Sequence, residues 1–451
     1  MTNKILFLAI LLFPVMLYCQ SADNSPYSRF GFGNIVNSQK VSSVGMGRLS
    51  SVYGDSYNTN FDNPATLTSL INATYEGGIY AKYTQIEQQT SSQTQWSGNM
   101  SYLSISFPLK NQISESLQKK PSNYKWVMGF NLSPYSTNNY NLQETRNVDS
   151  IGEVQTLYNG TGGSYRMVWG NAVKYKNLSV GLNIGWLFGK SSYGRQILFN
   201  DLAYSYSDVF TDEYSIRGFS WKAGATYRFD LSQTNDKKEA KYPGRNLLIG
   251  VSGNSAQSFN TTQSFLYRRV RTGIQSPDGS TIDTFKISPA EGVKGKGKLP
   301  SELNVGVLYT HSPKLKFGVD YSFSDWSRYE NDAKPNEQIL KLDKQYKIAA
   351  GVEYSPNPDD YKYYFKRIRY RLGAYYQHDP RLINGSELTE TGLSFGMGMP
   401  IRLPRQQIAF VHWALEAGKF GNVNVINEKY LRLHFAFNFS DTSWFYKRKY
   451  D

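Results

Sequence analysis

The chain has 451 residues, with 50 Lys and Arg against 36 Asp and Glu for a formal charge of +14, and one cysteine. A single cysteine excludes a disulfide framework and a thiolate metal site, and no run after the N-terminus reaches the roughly 20 apolar residues of a spanning helix. The positive charge suits anionic lipid headgroups, lipopolysaccharide phosphates or acidic substrates; behind a secretory leader, nucleic acid is not an expected partner.

The chain opens with Lys4, an apolar run over residues 5–18, then Cys19-Gln20-Ser21. A basic start before a short apolar core reads as a cleaved signal peptide, with processing expected before Gln20. Lipidation of Cys19 is the alternative, against which bulky Tyr18 stands where lipoprotein signals want a small residue. Residues 20–72 show no strand alternation and are dense in Gly, Ser and Asn. About fifty structureless residues ahead of a folded unit are anomalous unless they fold inside it.

From there onward, segments with a period of two recur, which puts alternate residues on opposite faces of strands. The most regular outer faces are Leu178, Val180, Leu182, Ile184, Trp186 and Phe188, then Leu315, Phe317, Val319, Tyr321 and Phe323. Ala409, Val411, Trp413, Leu415 and Ala417 form the next, and the last run carries Leu431, Leu433, Phe435, Phe437 and Phe439 on one face. Tyr430, Arg432, His434, Ala436 and Asn438 lie on the other. One face suits hydrocarbon and the other a wet interior, as in a transmembrane barrel strand. Other segments start near Tyr75, Tyr102, Trp126, Tyr165, Phe219, Leu247, Leu303, Tyr346, Tyr370 and Leu393. The expectation is an all-β fold, a 14-stranded antiparallel transmembrane β-barrel with its N-terminal segment as a hatch, or plug, inside the lumen. The segments are then 1–19 signal peptide, 20–73 hatch, 74–440 barrel and 441–451 a periplasmic aromatic-basic tail. A soluble all-β protein is the alternative; it would not leave large aromatics on every outer face.

Tight turns at 176–177 and 311–314 alternate with long polar stretches at 136–164, 189–213 and 255–302, read as external loops. Two basic runs in the last stretch, Arg268-Arg269-Val270-Arg271 and Lys294 to Lys298, read as solvated loop or as lipopolysaccharide contacts. On the inward face lie Gly181, Gly185, Gly306, Gly318, Gly351, Gly373, Gly396 and Gly398. Glycine inside a strand marks close approach of another element or a bend of the barrel. Inward polar positions include Arg166, Lys222, Arg228, Asp320, Arg371, His412, Glu416, Arg432 and His434, which suit a carboxylate-headed ligand or a salt-bridged wall. His412, His434 and Glu416 are possible neighbours, with a wet polar wall as the bland reading. No nucleophile–base pair, metal spacing or nucleotide loop in the required context is found, so no catalysis and no cofactor are expected.

The run Gly45-Met46-Gly47-Arg48, then Asp55, then Asn63-Pro64-Ala65 resembles the N-terminal hatch of the FadL family of outer-membrane transporters for hydrophobic compounds. Asp320 to Ser327, Tyr370 to Gly373 and Leu393 to Gly398 look like that family's C-terminal strands, and the two ends of the chain look like its Bacteroidota members. Gly54 departs from the family, whose hatch often has a first Asp there, and the chain continues past Phe439. The resemblance implies passive uptake of hydrophobic small molecules (long-chain fatty acids, aromatic hydrocarbons or similar) and sideways release through a kinked third strand. That strand is residues 125–135, carrying Gly129 and Pro134. Tyr135, Tyr140, Phe199, Phe210, Phe259 and Phe265 are then candidates for ligand contact among the outer loops. FadL-like barrels of Bacteroidota also serve as subunits of secretion or barrel-assembly machinery, of which the PorV type is one. The tail, where Trp444, Phe445 and Tyr446 precede three basic residues, favours such a protein partner.

Overall fold

The computed structural model describes residues 24–36, 39–88, 91–110, 122–202, 205–231, 244–275, 281–312, 314–333, 342–383, 385–403 and 407–441, with only the backbone over 271–275 and 281–291. The signal-peptide segment, Cys19 and the tail beyond Asp441 lie outside the described residues.

In chain order the strands are β1 (Asn34–Ile35), β2 (Ala73–Gln88), β3 (Ser91–Pro108), β4 (Tyr124–Thr137), β5 (Tyr140–Val148), β6 (Gly152–Tyr175), β7 (Leu178–Phe199), β8 (Tyr206–Asp230), β9 (Asn246–Asn254) and β10 (Gln257–Gln275). There follow β11 (Thr281–Leu299), β12 (Glu302–His311), β13 (Leu315–Asp325), β14 (Glu330–Asn331), β15 (Lys344–Tyr354), β16 (Arg369–Ile383), β17 (Ser386–Arg402), β18 (Ile408–Asn422) and β19 (Ile426–Asp441). Fourteen of them form a closed antiparallel ring, β2-β3-β4-β6-β7-β8-β9-β12-β13-β15-β16-β17-β18-β19, sealed where Asp441 to Asn427 of β19 pairs with Ala73 to Glu87 of β2. These are the fourteen segments legible from alternation. No described helix is long and apolar enough to cross a membrane, which says nothing of a β-barrel.

The outer wall is apolar. Leu178, Val180, Leu182, Trp186 and Phe188 of β7 are exposed, as are Leu431, Leu433, Phe435 and Phe437 of β19. Their inward alternates Tyr430, His434, Ala436 and Asn438 are buried. Outward rings pair across strands, Phe130 with Trp169 and Tyr165 with Phe188. This is the girdle a lipid-facing wall requires.

One expectation is corrected. Over their described residues the stretches 136–164, 189–213 and 255–302 are mostly strand: β5, β10 and β11 lie within them, and β6, β7 and β8 extend into them. β6, β7 and β8 run 24, 22 and 25 residues, well beyond the ~9–11 that cross a membrane. Past the ring, β5-β6-β7-β8-β10-β11 continue as an open sheet rising from one flank. Both basic runs pair within its β10–β11 hairpin. Away from its base the sheet is exposed or half-exposed on both faces, as over Asn141 to Val148, so its residues there need no apolar alternation and the period-two signal fades.

Val319 is an outward residue of β13, paired with Val307 and Ala350. Val319→Arg is expected to cost about 2–4 kcal/mol near the midplane, read as a lower yield of the heat-modifiable folded band. Normal folding would place Val319 off the lipid face.

Candidate functional site

The N-terminal segment enters the lumen at the end bearing the β2–β3 and β18–β19 hairpins and runs down to the start of β2. At the outer rim Asn24 donates to Gln95 (2.8 Å) and Ser25 to Glu428 (2.5 Å). Arg381, held by both oxygens of Asp379 at 2.7 Å, donates to the Tyr27 carbonyl and the Asn34 side chain, each at 2.7 Å.

Midway down, backbone lies on backbone. After the helical turn Val41–Val44 the chain hooks through Gly47 (φ 71°) and Arg48 (φ 66°). A Cβ on Gly373 would meet the Gly47 nitrogen at 2.0 Å, one on Gly351 the Met46 carbonyl at 2.3 Å, and one on Gly396 the Gly45 Cα at 2.9 Å. Only glycine on the inner wall admits this approach. Of the inward glycines picked out by alternation, Gly181, Gly306, Gly318, Gly351, Gly373 and Gly396 touch the N-terminal segment. Gly224 and Gly250, which the reading omitted, do so as well, against Asn63.

The hook places Arg48, buried, against Glu416 (2.6 Å) and Glu390 (3.1 Å), its guanidinium 4.0 Å above the Tyr375 ring. Glu416 also accepts from His434 (2.8 Å) and Arg432 (3.3 Å). Just beyond, the Asp320 carboxylate accepts from the backbone N–H groups of Ser50 and Ser51. Tyr53 donates to Glu353 (2.5 Å), which also holds Arg371 (2.8 Å) and Lys316 (2.7 Å). Asp55 pairs with Arg369. Asn63 caps the 3₁₀ turn Pro64–Ser69 through Ala65 N–H (3.1 Å) and donates to the Ser51 carbonyl (2.6 Å). Pro64 and Ala65 then rest on Gly181. Burial pushes the Asp55 carboxyl up, but Arg369 and Lys316 outweigh it and hold it at about 2, against an ordinary 3.8.

The wall is incomplete at one place. β3 pairs with β4 only from Leu103–Leu132 to Pro108–Val127. Above that, Ser91 to Tyr102 pairs with β2 alone, and the free edge of β4 takes β1, with Asn34 opposite Thr137 and Ile35 opposite Ser136. Pro134 lies just past the last β3 pair, beside a bulge at Tyr135. Gly129 sits lower, in the intact ladder, with Phe61 against its inner side. Lys40 bridges the top of the ladder from inside, donating to Ser104 (2.7 Å) and Asn131 (3.0 Å) and sitting 3.6 Å above the Tyr102 ring. Burial pulls its amine down to about 8 although Glu76 and Asp62 act the other way. On the lipid side of this ladder lies an apolar groove of about 480 Å³, lined by Leu103, Ile105, Phe130, Leu132 and Phe437 among others.

The remaining sequence candidates scatter. Arg166 stacks on Tyr135 at 4.1 Å, Lys222 pairs with Glu302 (2.9 Å), and Arg228 lies 3.6 Å from Asp230. His412 and His434 are not a pair. His412 faces Ala436 and lies 3.3 Å from Arg371, whereas His434 faces Ala414 and joins the Arg48 network. Among the described residues no group of three His, Cys, Asp or Glu is placed to hold a metal. Of the loop aromatics, Phe259 and Tyr140 are buried, Phe259 and Tyr135 packing around Phe32. A cavity of about 140 Å³ lies beside this cluster, lined by Tyr135, Leu299 and Trp326 together with Arg166, Lys222 and Glu302. Glu390, Glu76 and Lys40 were missed. Glu390 shares the parity of Gly396 and Glu76 that of Lys82, so alternation could have found both; Lys40 sits in no pattern.

Three comparisons bear on this arrangement. A family model described as BamG matches residues 1–451. No curated protein matches. Among solved structures, a Pseudomonas aeruginosa FadL homologue aligns with a TM-score of 0.55 at 10% identity, covering 90% of this chain and 99% of that one. The Pseudomonas putida toluene transporter TodX gives 0.53 at 12%, covering 92% and 99%. The Ralstonia pickettii toluene transporter TbuX gives 0.51 at 13%, covering 88% and 97%. The fold is therefore the FadL type.

Glu416→Ala would leave Arg48 with one carboxylate fewer in a buried site, at an expected cost of about 3–5 kcal/mol, seen as a lower melting temperature. A cost below ~1 kcal/mol would show that water reaches Arg48. The depressed Asp55 carboxyl stabilises the fold fully above its ordinary value, and that contribution disappears as pH falls through about 2. Comparing wild type with Asp55→Asn should give a difference of about 2 kcal/mol near neutrality, closing only at the acid end. A gap already closed at pH ~4 would contradict the Arg369 pair.

Proposed function

The chain belongs to the BamG family, and from that premise we propose that it is an outer-membrane barrel, exported behind a cleaved signal peptide, that serves as a structural subunit of a barrel-assembly complex with its lumen held shut. The observation that carries this is the fastening of the hatch at every depth: Arg381 to the Tyr27 carbonyl and Asn34 at the rim, Arg48–Glu416 midway, Tyr53–Glu353–Arg371 and Asp55–Arg369 below.

Magnitudes separate this from ligand-gated passage. A ligand shifts a conformation only by its differential affinity for the two states. A seven-carbon hydrocarbon gains about 0.8 kcal/mol per CH₂-sized group, some 5–6 kcal/mol in all. Breaking a single buried ion pair by exposing one partner costs about 3–5 kcal/mol, and withdrawing the hatch breaks several together. Lumen polarity adds to this, since the inner wall carries Lys, Arg and carboxylates rather than an apolar track.

A second reading keeps the fold's transport role: passive uptake of hydrophobic small molecules and lateral release into the membrane. The opening between β3 and β4 favours it, because among the described residues Asn34 to Val36, Lys40 and Val41 are what spans that gap. An apolar groove waits on the lipid side.

Thr59 and Ser104 lie with hydroxyls 3.3 Å apart, beside this opening. A disulfide in Thr59→Cys/Ser104→Cys would fasten hatch to wall. The subunit reading expects oxidised cells to retain normal amounts of folded outer-membrane barrels, and depletion of the protein to lower them at unchanged hydrocarbon uptake. Uptake that is lost on oxidation and restored by reductant, with barrel content normal on depletion, would overturn it in favour of transport.

A further inference from the structure

Below the hatch the lumen widens into a vestibule of about 760 Å³ at the end of the barrel that carries the short turns. Gly54, Ser56 and Thr68 of the hatch line it, and inward residues of the strand ends form its walls. Its two flanks differ in charge. On one, Lys316 and Arg369 are met by Glu353 and Asp55. On the other stand Lys125, Lys174, Lys176 and Arg228. Among the described residues the one carboxylate within 4 Å of any of these is Asp230, 3.6 Å from Arg228 and itself 48% exposed.

Lys125 is the telling member. It is 8% exposed and has no hydrogen-bonding or ionic partner among the described residues. It stands directly opposite Lys174 across the β4–β6 ladder. Like charges opposite one another in a sheet are destabilising, and Lys125 lines the vestibule with no described carboxylate beside it. The Arg228 Nε makes no hydrogen bond, its carboxylate neighbour being the half-exposed Asp230 at 3.6 Å. Such a cluster is stable in company with anions.

We propose that this vestibule is a binding site for an acidic polypeptide segment presented from the periplasm, its carboxylates filling the side bounded by Lys125, Lys174 and Arg228. The site lies within the wall and under the hatch, so headgroups of the surrounding leaflet, which sit outside the wall, do not reach it. Its volume is in the range of ligand sites that bury most of their guest, about 300–1,000 Å³, and far larger than a single phosphate needs. The chain's own C-terminal run, Lys447-Arg448-Lys449, has the wrong sign to occupy it. The choice of a polypeptide rests on the subunit role proposed above; the anion site itself rests on the geometry.

The test uses the full chain in neutral detergent with a fluorescein-labelled heptaglutamate peptide, followed by anisotropy at low salt. Wild type should bind saturably, and Lys125→Gln/Lys174→Gln should weaken binding at least tenfold. That variant should melt at or above the wild-type temperature, since it removes a repulsion, which separates lost binding from lost fold. Lys190→Gln/Lys429→Gln, at the outer end, should bind as wild type does. Equal binding by wild type and the inner variant overturns the proposal. So do an equal loss in the outer control, displacement by inorganic phosphate at the same total charge as effective as by unlabelled heptaglutamate, and binding seen only in anionic vesicles. Failure here with barrel content still falling on depletion removes this inference alone. Peptide binding with barrel content unaffected by depletion removes the subunit role and leaves the site.

Discussion

Backbone lying on backbone in the lumen is the constraint on which this molecule depends. An eight-strand barrel can be filled by its own side chains, but the diameter grows with strand number, and fourteen strands leave a lumen that side chains alone do not close. The chain closes it with its own N-terminal segment. Its backbone lies directly on the wall's backbone where the wall has no Cβ, at Gly351, Gly373 and Gly396 around the Gly45–Gly47 hook. A hook seated so closely fixes where Arg48 emerges, and the buried carboxylates of Glu416 and Glu390 follow from that position. Glycine sets the distance, and charge sets the register.

The two ends of the barrel are built for different surroundings. Outside, β6, β7 and β8 rise far above the ring as part of a wetted sheet, while the opposite wall ends near its hairpins. Inside the lumen a series of ion pairs, from Arg48 with Glu416 through Arg371 with Glu353, runs down to Asp55 and Arg369. Below them, matching stops on one flank, where Lys125 faces Lys174. The contrast within one cavity is what gives the unmatched flank meaning, since Arg48, Arg371, Lys316 and Arg369 above it each meet a carboxylate.

Alternation made the wall legible. Where one face meets lipid and the other a packed interior, period two is enforced, and β7, β13 and β19 read directly from the sequence. Inward glycines were legible as a set because only their parity mattered, although Gly224 and Gly250 were passed over beside less regular neighbours. The outer sheet was illegible for the converse reason: beyond the buried Tyr140, the residues from Asn141 to Val148 are exposed or half-exposed on both faces and carry no burial signal. Arg48 needed a carboxylate on physical grounds, but Glu416 and Glu390 are far away in sequence and only the strand register brings them to it. The pairing imagined for His412 and His434 failed on that same register, which offsets them so that each faces an alanine.

The account stands on a hatch that does not move, and hydrogen exchange of the intact protein measures that directly. The backbone N–H groups of Gly47, Ser50 and Ser51 donate to Ser394 and Asp320 of the wall. If the hatch is fixed, these amides exchange only through opening of the barrel itself, with protection equal to that of β13 and β16. Exchange of the three amides orders of magnitude faster than in those strands, and faster still with toluene present, would contradict the account and show a hatch that opens.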